Sequence, residues 1–262
     1  MSGWGDEQTP YVPTQEVVEE IEIEARRETD TGYAPDTWEF DPEVTRVFDD
    51  MLQRSIPDYE KMRNWVTDVA CAFVQPATVV VDLGCSRGEA LQRVKSACPA
   101  GPEYLGVEIS DPMLKASIQR FLDDDLVEIR KWDLRRGYPE RARPVSLTLS
   151  VLTLMFVPIN YRLRLVSEAW EQTTYGGGFV LVEKVLGSGP KTDDVIQANY
   201  HKLKTDQGYS PDDVERKRLS LEGQLVPLTA EWNVHLLKSA GFAEVECFWA
   251  WGPFRAWMAV KR

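Results

Sequence analysis

Histidine and paired cysteines are scarce in this sequence. Its 262 residues include two histidines and four cysteines, and the cysteines lie far apart with no CxxC pair. Zinc and similar metals need clusters of these residues at short spacings. The sequence therefore favours a protein without a metal, and the scattered cysteines indicate neither a zinc knuckle nor a disulfide framework.

Long apolar runs are also missing. No window approaches the roughly 18 uninterrupted apolar residues of a membrane span. The N-terminal stretch MSGWGDEQTP has neither the basic start nor the apolar core of a secretory signal. With 43% hydrophobic and 27% charged residues, the composition is globular. We expect a soluble, cytoplasmic protein without membrane contact, built as one α/β domain with additions.

Basic residues are rare near the N-terminus. Residues 1–37 hold ten acidic residues against Arg26 and Arg27, so this segment carries −8 of the net charge of −12. Self-repulsion in such a segment outweighs the little apolar area it can bury. A few apolar residues do share one helical face, which leaves a short docking helix open as an alternative. We predict a disordered or loosely attached tail over 1–37 and a folded domain over 38–262.

A glycine turn follows the first predicted strand, in VVVDLGCSRGEAL at 79–91. The β-branched run at its start is typical of a strand buried on both faces of a parallel sheet. Gly84 and Gly88 then lead into a helix predicted over 89–95. Small residues at such a corner let backbone N–H groups approach a ligand at the start of the helix. The pattern predicts a ligand-binding turn.

The spacing of the glycines in the turn narrows the choice of ligand. A dinucleotide fingerprint places glycines as G-x-G-x-x-G to seat a pyrophosphate. Here Ser86 stands where the second glycine would fall, and Asp82 would repel a diphosphate. The turn is therefore predicted to hold a nucleoside without phosphates.

Two further predicted strands end in carboxylates. EYLGVEIS at 103–110 brings Glu108 about 20 residues past the glycine turn, where a carboxylate accepts the hydroxyls of a ribose. LVEIRKWDL at 126–134 brings Asp133 to its end, where an adenine amine can donate to it. Together with the glycine turn, these groups predict an S-adenosylmethionine (SAM) site in a Rossmann-like methyltransferase fold.

Strand and helix patterns alternate along the rest of the chain, which indicates a parallel sheet. We predict an α/β fold with a mostly parallel seven-stranded sheet and helices on both faces. Two helices before the first strand, capped by Asp41 and spanning 58–74, are predicted to form a lid over the nucleoside pocket. The other predicted elements are strands at 144–152 and 178–185, a helix at 158–173, a charged helical insertion at 189–226, a helix between Thr229 and Gly241, and a final edge hairpin.

From about residue 40, the sequence resembles the carboxy-S-adenosylmethionine synthase family, a branch of the methyltransferase fold. The matching segments are FDPEV and VFDDMLQRSIPDY within 40–59, FVQPATVVVDLGCSRG at 73–88, VEK at 182–184, GYS at 208–210, KRLSLE at 217–222, and LT followed by LLKSAGF within 228–242. The serine of DLGCS is part of the family pattern, and the acidic tail lies outside the resemblance.

The resemblance implies a SAM-dependent transferase that uses prephenate as carboxyl donor, forms carboxy-SAM and releases phenylpyruvate. The product would serve a later enzyme that modifies wobble uridine in tRNA. The resemblance also implies a homodimer.

The resemblance further implies which residues form the site. Tyr59 would cover the sulfonium or amino-acid end of SAM, and Arg218 would grip the added carboxylate through two parallel hydrogen bonds. These two residues are the catalytic candidates. The implied cofactor-binding set is Tyr59, Asp82, Gly84, Cys85, Ser86, Glu108, Ile109, Asp133, Leu134, Ser150 and Arg218.

Two positions depart from the family pattern. Ser150 replaces an asparagine at the end of the fourth predicted strand, and His201, beside Tyr200, stands alone where the family has paired histidines. Both changes affect the donor-substrate chemistry more than SAM binding.

Two alternatives therefore stay open. One is an ordinary SAM-dependent methyltransferase, acting on a small molecule or on nucleic acid. The basic, aromatic strip at 129–144 could contact RNA or DNA, although the negative overall charge favours a solvated loop. The other alternative is a non-catalytic SAM-fold protein that binds a partner through its acidic tail.

Overall fold

A computed structural model of the chain describes residues 37–98, 101–140 and 143–262. The prediction of a disordered tail over 1–37 therefore lies, except for residue 37, outside the described residues. The helices are α1 (Pro42–Ser55), α2 (Tyr59–Cys71), α3 (Glu89–Ala97), α4 (Asp111–Arg120), α5 (Ile159–Gln172), α6 (Pro190–Asp206), α7 (Pro211–Ser220) and α8 (Ala230–Ser239). The strands are β1 (Val79–Leu83), β2 (Glu103–Glu108), β3 (Val127–Lys131), β4 (Val145–Val151), β5 (Thr173–Leu186), β6 (Leu228–Thr229), β7 (Glu244–Trp251) and β8 (Phe254–Val260).

The strands form one mixed sheet in the order β3-β2-β1-β4-β5-β8-β7. The first five strands of the chain are parallel, and β8 joins β5 in antiparallel register. The strand order reverses between β1 and β4, and in open α/β sheets ligands bind in the crevice at the carboxyl ends beside such a point. The predicted edge hairpin is confirmed, because β7 pairs only with β8 among the described strands. The prediction of seven strands missed β6, a two-residue strand parallel to β5.

Apolar cores cover both faces of this sheet. All five residues of β1 are buried, as the β-branched run predicts. One core packs α5 and α8 against the sheet, and the other packs α2 and α3 against its opposite face. The predicted arrangement of helices on both faces is confirmed. Burial on both sides leaves the carboxyl ends of the strands as the place where polar groups can meet a ligand.

Several helices begin where their local sequence predicts. Asp41 caps α1, since its Oδ1 accepts the N–H of Val44 at 2.8 Å. Thr229 caps α8 in the same way, and its Oγ1 accepts the N–H of Trp232 at 3.3 Å. Such caps satisfy N–H groups that have no partner within the helix.

One expectation about the cysteines is wrong. Cys71, at the end of α2, forms a disulfide with Cys98, which follows α3. The two residues are 27 positions apart in sequence, and no CxxC pattern announces them, because only the side-by-side packing of α2 and α3 brings their ends together. Cys85 is a buried free thiol and Cys247 an exposed one.

The basic strip at 129–144 is largely neutralised within the described residues. Four of its cations form ion pairs, namely Arg130 with Glu128, Lys131 with Asp111, Arg135 with Asp133, and Arg143 with Glu103. This pairing favours a solvated surface loop. The helices in the described ranges are too short or too polar to traverse a lipid bilayer.

Candidate functional site

A cavity of about 1200 Å³ opens at the carboxyl ends of β1 and β2. Helices α1 and α2 line it, as the predicted lid requires, and so do residues of α6 and α7 from the helical insertion. The cavity brings together ten of the eleven predicted cofactor-binding residues: Tyr59, Asp82, Gly84, Cys85, Ser86, Glu108, Ile109, Asp133, Leu134 and Arg218.

Ser150 is the predicted site residue that the structure does not bring to the cavity. It lies within β4 and is fully buried. Residues two apart in a strand share a face, and Thr148 on that face bonds the hydroxyl of Tyr138 at 2.7 Å in the core beneath α5. The side chain of Ser150 therefore belongs to the sheet interior, and its Oγ has no hydrogen-bond partner there.

The glycine turn keeps a tight left-handed backbone. Gly84 has φ +66° and Gly88 has φ +79°. A Cβ at Gly84 would lie 2.4 Å from Cγ2 of Thr153, so no larger residue fits. Ser86, where a dinucleotide fingerprint has glycine, also has a positive φ of 50°. A left-handed conformation costs a non-glycine residue free energy and is often found at ligand sites.

Glu108 ties the turn to the end of β2. Its carboxylate accepts three backbone N–H groups, from Ser86 at 2.9 Å, Ile109 at 2.8 Å and Ser110 at 2.9 Å. Burial raises the pKa of Glu108, and these hydrogen bonds oppose the rise. A carboxylate offers about four acceptor positions. A ribose held through both hydroxyls must therefore displace one of the three amides.

Asp82, at the end of β1, adds a second buried acid beside Glu108. Only 2% of Asp82 is exposed. Burial raises its pKa well above the ordinary value, and the nearby charge of Glu108 raises it further. Since two buried carboxylates without a cation destabilise each other, this end of the cavity favours a cationic ligand.

Asp133 is positioned by its own neighbour. Both carboxylate oxygens of Asp133 accept from the guanidinium of Arg135, with the closest contact at 2.6 Å. The hydrogen bond from Arg135 is the main cause of a lowered pKa at Asp133. Asp133 is thus an ionised acceptor beside Leu134, and an adenine amine would share it with Arg135.

Tyr59 begins α2 and is nearly buried. The guanidinium of Arg63 lies 5.1 Å from the centre of its ring and pairs with Glu89 at the start of α3. Burial raises the pKa of Tyr59 well above its usual value of 10. The phenol therefore stays protonated at neutral pH, where it can donate a hydrogen bond but cannot act as a base.

Arg218 lies at the exposed rim of the cavity. Its guanidinium forms two hydrogen bonds of 2.8 Å with the carboxylate of Glu215, one turn earlier on α7. The side chain is 47% exposed. Arg218 already displays the two-bond geometry expected for a ligand carboxylate, but with an internal partner that a ligand must replace.

Sequence reasoning missed a second group of cations in the cavity. Lys184 at the end of β5, with Lys204 and Lys217 on the insertion, lines it together with Tyr200 and His201. Burial lowers the pKa of His201, and the charges of Lys204 and Lys184 lower it further. Lys184 belongs to the VEK segment of the family resemblance, but a single lysine forms no spacing pattern from which a binding role could be predicted.

Among the described residues, no group of three or more His, Cys, Asp or Glu side chains is arranged to hold a metal ion.

Comparisons with known proteins add the family context. No protein-family model matches the chain. A carboxy-S-adenosyl-L-methionine synthase from Methylococcus capsulatus is 36% identical over 230 residues, which cover 86% of this chain and 94% of that protein. A protein of the same name from Nitratiruptor is 33% identical over 226 residues, covering 86% and 93%.

Solved structures show the fold. Human N-acetylserotonin methyltransferase in complex with SAM matches with a TM-score of 0.56 at 16% identity, over 84% of this chain and 55% of that one. An O-methyltransferase family protein from Burkholderia thailandensis matches with a TM-score of 0.58 at 16% identity, over 84% and 60%. The chain therefore has the architecture of SAM-dependent methyltransferases.

Proposed function

Because the chain belongs to the carboxy-S-adenosyl-L-methionine synthase family, we propose that it transfers a carboxyl group from prephenate to the methyl carbon of SAM. The products are carboxy-SAM and phenylpyruvate, and carboxy-SAM would supply a later modification of wobble uridine in tRNA.

One observation carries the proposal: the cavity has an acidic and a basic part. Asp82 and Glu108, on β1 and β2, form the acidic part, where Arg63 and Arg87 are paired with Glu89 and Asp49. Lys184 on β5, with Lys204 and Arg218 on the helical insertion, are cations of the other part. SAM carries a sulfonium and an ammonium group, whereas prephenate carries two carboxylates. Opposite charges favour binding in a partly desolvated cavity. Such a division suits a reaction that joins a cationic and an anionic substrate.

The balance of atoms defines the reaction. One carbon–carbon bond of prephenate breaks to release its ring carboxyl group, and a new bond joins that carbon to the methyl carbon of SAM. The methyl group gives up one proton. The donor also loses its ring hydroxyl group, which leaves with that proton as water as the ring becomes aromatic. No oxidant or reductant is required.

Residues of the chain would contribute binding and orientation. Glu108 would hold the ribose, Asp82 would offset the positive charge of SAM, and Tyr59 would cover the reacting end. Arg218 would exchange Glu215 for the new carboxylate. Holding two reactants in register lowers the entropic cost of their encounter, and closure by α1 and α2 would exclude water.

Mass spectrometry provides the direct test. Purified protein is denatured and its small-molecule extract examined for SAM and for a species heavier by one carboxyl group. The proposal predicts that SAM and prephenate yield that heavier species together with an equal amount of phenylpyruvate. Plain SAM, with no phenylpyruvate after prephenate is added, would refute carboxyl transfer and leave the methyltransferase alternative.

We also propose, from the family resemblance, a cytoplasmic homodimer. Exposed aromatic side chains such as Trp232 and Trp251 are candidates for burial between two copies. Light scattering at micromolar concentration should give twice the mass of one chain, and cell fractionation should place the protein with cytoplasmic markers. The mass of a single chain at micromolar protein concentrations would rule out the dimer.

A further inference from the structure

The basic part of the cavity is organised around one tyrosine. The ammonium of Lys184 lies 4.9 Å from the centre of the Tyr200 ring, and that of Lys204 lies 4.6 Å from the same centre. Both distances are within the range of cation–π contacts. Tyr200 is nearly buried, and its ring packs edge-on against Phe254 at 5.6 Å. A fixed ring therefore holds two ammonium groups in one region.

Lys184 lacks an ion pair among the described residues. Asp193 is the acid whose charge acts on it, but Oδ1 of Asp193 accepts the N–H of Gly187 at 2.8 Å and lies outside ion-pair distance of the lysine. Burial lowers the pKa of Lys184 from its ordinary value, and Asp193 opposes that change. A half-buried ammonium without a carboxylate is stabilised when an anion arrives.

The position of Lys184 in the sheet suits a second substrate. Strand β5 lies two strands from β1 in the sheet, which corresponds to about 10 Å between their backbones. Through β4, Asp82 is level with Val180 of β5, so Lys184 also lies four residues, or about 13 Å, further along the strand direction, beyond the end of β1. An anion at Lys184 would therefore share the cavity with a ligand held by the turn without overlapping the buried end of that ligand's site.

We propose that Lys184 binds a carboxylate of the carboxyl donor, with Tyr200 as the positioning residue for its ammonium and Lys204 as a second positive charge. This inference rests on the proposed function. The donor must carry a carboxylate, since it gives one up, and a dianion gains from two neighbouring ammonium groups. His201, with its lowered pKa, is largely neutral at pH 7 and lines the cavity as a polar but uncharged side chain.

The test separates the binding of the two substrates. We expect Lys184→Met to raise KM for prephenate roughly 10- to 100-fold, as for loss of one charge-assisted contact, with the Kd of SAM changed less than about twofold. Lys184→Arg should restore most of the affinity for prephenate. Tyr200→Leu should also raise KM for prephenate. The control is Lys202→Met on α6, the helix that carries Tyr200, because Lys202 is exposed and paired with Asp206; it should leave both constants unchanged.

Calorimetry of prephenate binding to the SAM-loaded protein distinguishes a failure of this inference from a failure of the proposed function. If carboxy-SAM forms and KM for prephenate is the same in Lys184→Met, the inference is wrong while the proposed function stands. If no carboxy-SAM forms, yet prephenate binds the wild type and not Lys184→Met, the anion site stands and the proposed function fails. A parallel loss of SAM affinity in Lys184→Met would show a structural role and overturn the inference.

Discussion

At the residue scale, charged side chains in this cavity differ in how deeply they lie and in what they already bind. Asp82 and Glu108 are buried, Lys184 is half-buried, and Arg218 is exposed and paired with Glu215. Solvent weakens an exposed ion pair. The buried acids are therefore expected to influence affinity for SAM strongly, whereas Arg218 is expected to select between ligands.

Arg218→Ala should weaken carboxy-SAM binding roughly tenfold and leave SAM binding nearly unchanged, since only the carboxylated ligand offers the second partner. Isothermal titration with both ligands measures the difference. Arg216→Ala is the matched control, because Arg216 is an exposed neighbour on α7 that pairs with Asp213. Equal losses for both ligands would remove Arg218 from the carboxylate site.

Glu183 gives the fold a pH dependence of its own. It is buried, its Oε1 has no hydrogen-bond partner, and burial raises its pKa to about 8, although the charge of Arg162 opposes the rise. The folded protein thus holds a proton that the unfolded chain releases. The stability from this proton is complete below the ordinary pKa of 4.5 and is lost as the pH rises through 8.

We expect the free energy of unfolding of the wild type to fall between about pH 5 and pH 8, by on the order of 1 kcal/mol per pH unit. Glu183→Gln, which imitates the protonated acid, should flatten this dependence. Urea denaturation across that pH range is the measurement. The same slope in both proteins would assign the pH dependence to other groups.

At the element scale, α2 and α3 couple the lid to the glycine turn. Arg63 of α2 pairs with Glu89 in the first turn of α3, at the cavity. The far ends of the two helices are joined by the disulfide between Cys71 and Cys98. Both ends of this helix pair are thus linked, which keeps Tyr59 over the cavity.

Reduction of this disulfide should destabilise the protein by about 3 kcal/mol, as expected from closing a 27-residue loop in the unfolded chain. The check is urea denaturation with and without dithiothreitol. Cys71→Ser should show the lower stability and no response to the reductant. Cys247→Ser, at an exposed free thiol, should behave as the wild type. No effect of dithiothreitol on the wild type would contradict the prediction.

At the scale of the whole molecule, the charge is uneven. Residues 1–37 carry −8 of the net −12, so two thirds of the excess negative charge belongs to one seventh of the chain. The electrostatic potential of this negative charge repels anionic ligands and attracts cationic ligands as they approach the protein, and dissolved salt screens the effect. SAM, with one net positive charge, and prephenate, with two negative charges, should respond in opposite directions.

Deletion of residues 1–36 should lower KM for prephenate and raise the Kd of SAM, each about two- to fivefold at low ionic strength. Both changes should vanish near 0.5 M NaCl, where the screening length is only a few ångströms. Steady-state kinetics and calorimetry at two salt concentrations give the result. Shifts in the same direction for both ligands would exclude a long-range charge effect.

The sequence determined the local features of this protein. The caps at Asp41 and Thr229, the all-buried strand β1 and the left-handed glycines of the turn depend on neighbours a few residues away, so their patterns are readable in one dimension. The position of Glu108 was also predictable from the sequence, since one βαβ unit sets the spacing between a glycine turn and the end of the next strand.

Only the tertiary structure decided which distant side chains meet. It paired Cys71 with Cys98, turned Ser150 into the sheet interior, and placed Lys184 and Lys204 around Tyr200. No local or periodic sequence pattern marks these contacts, because each depends on how helices and strands far apart in the chain pack together. The acidic part of the cavity was therefore predictable from the sequence, whereas Arg218 was the one predicted residue of the basic part.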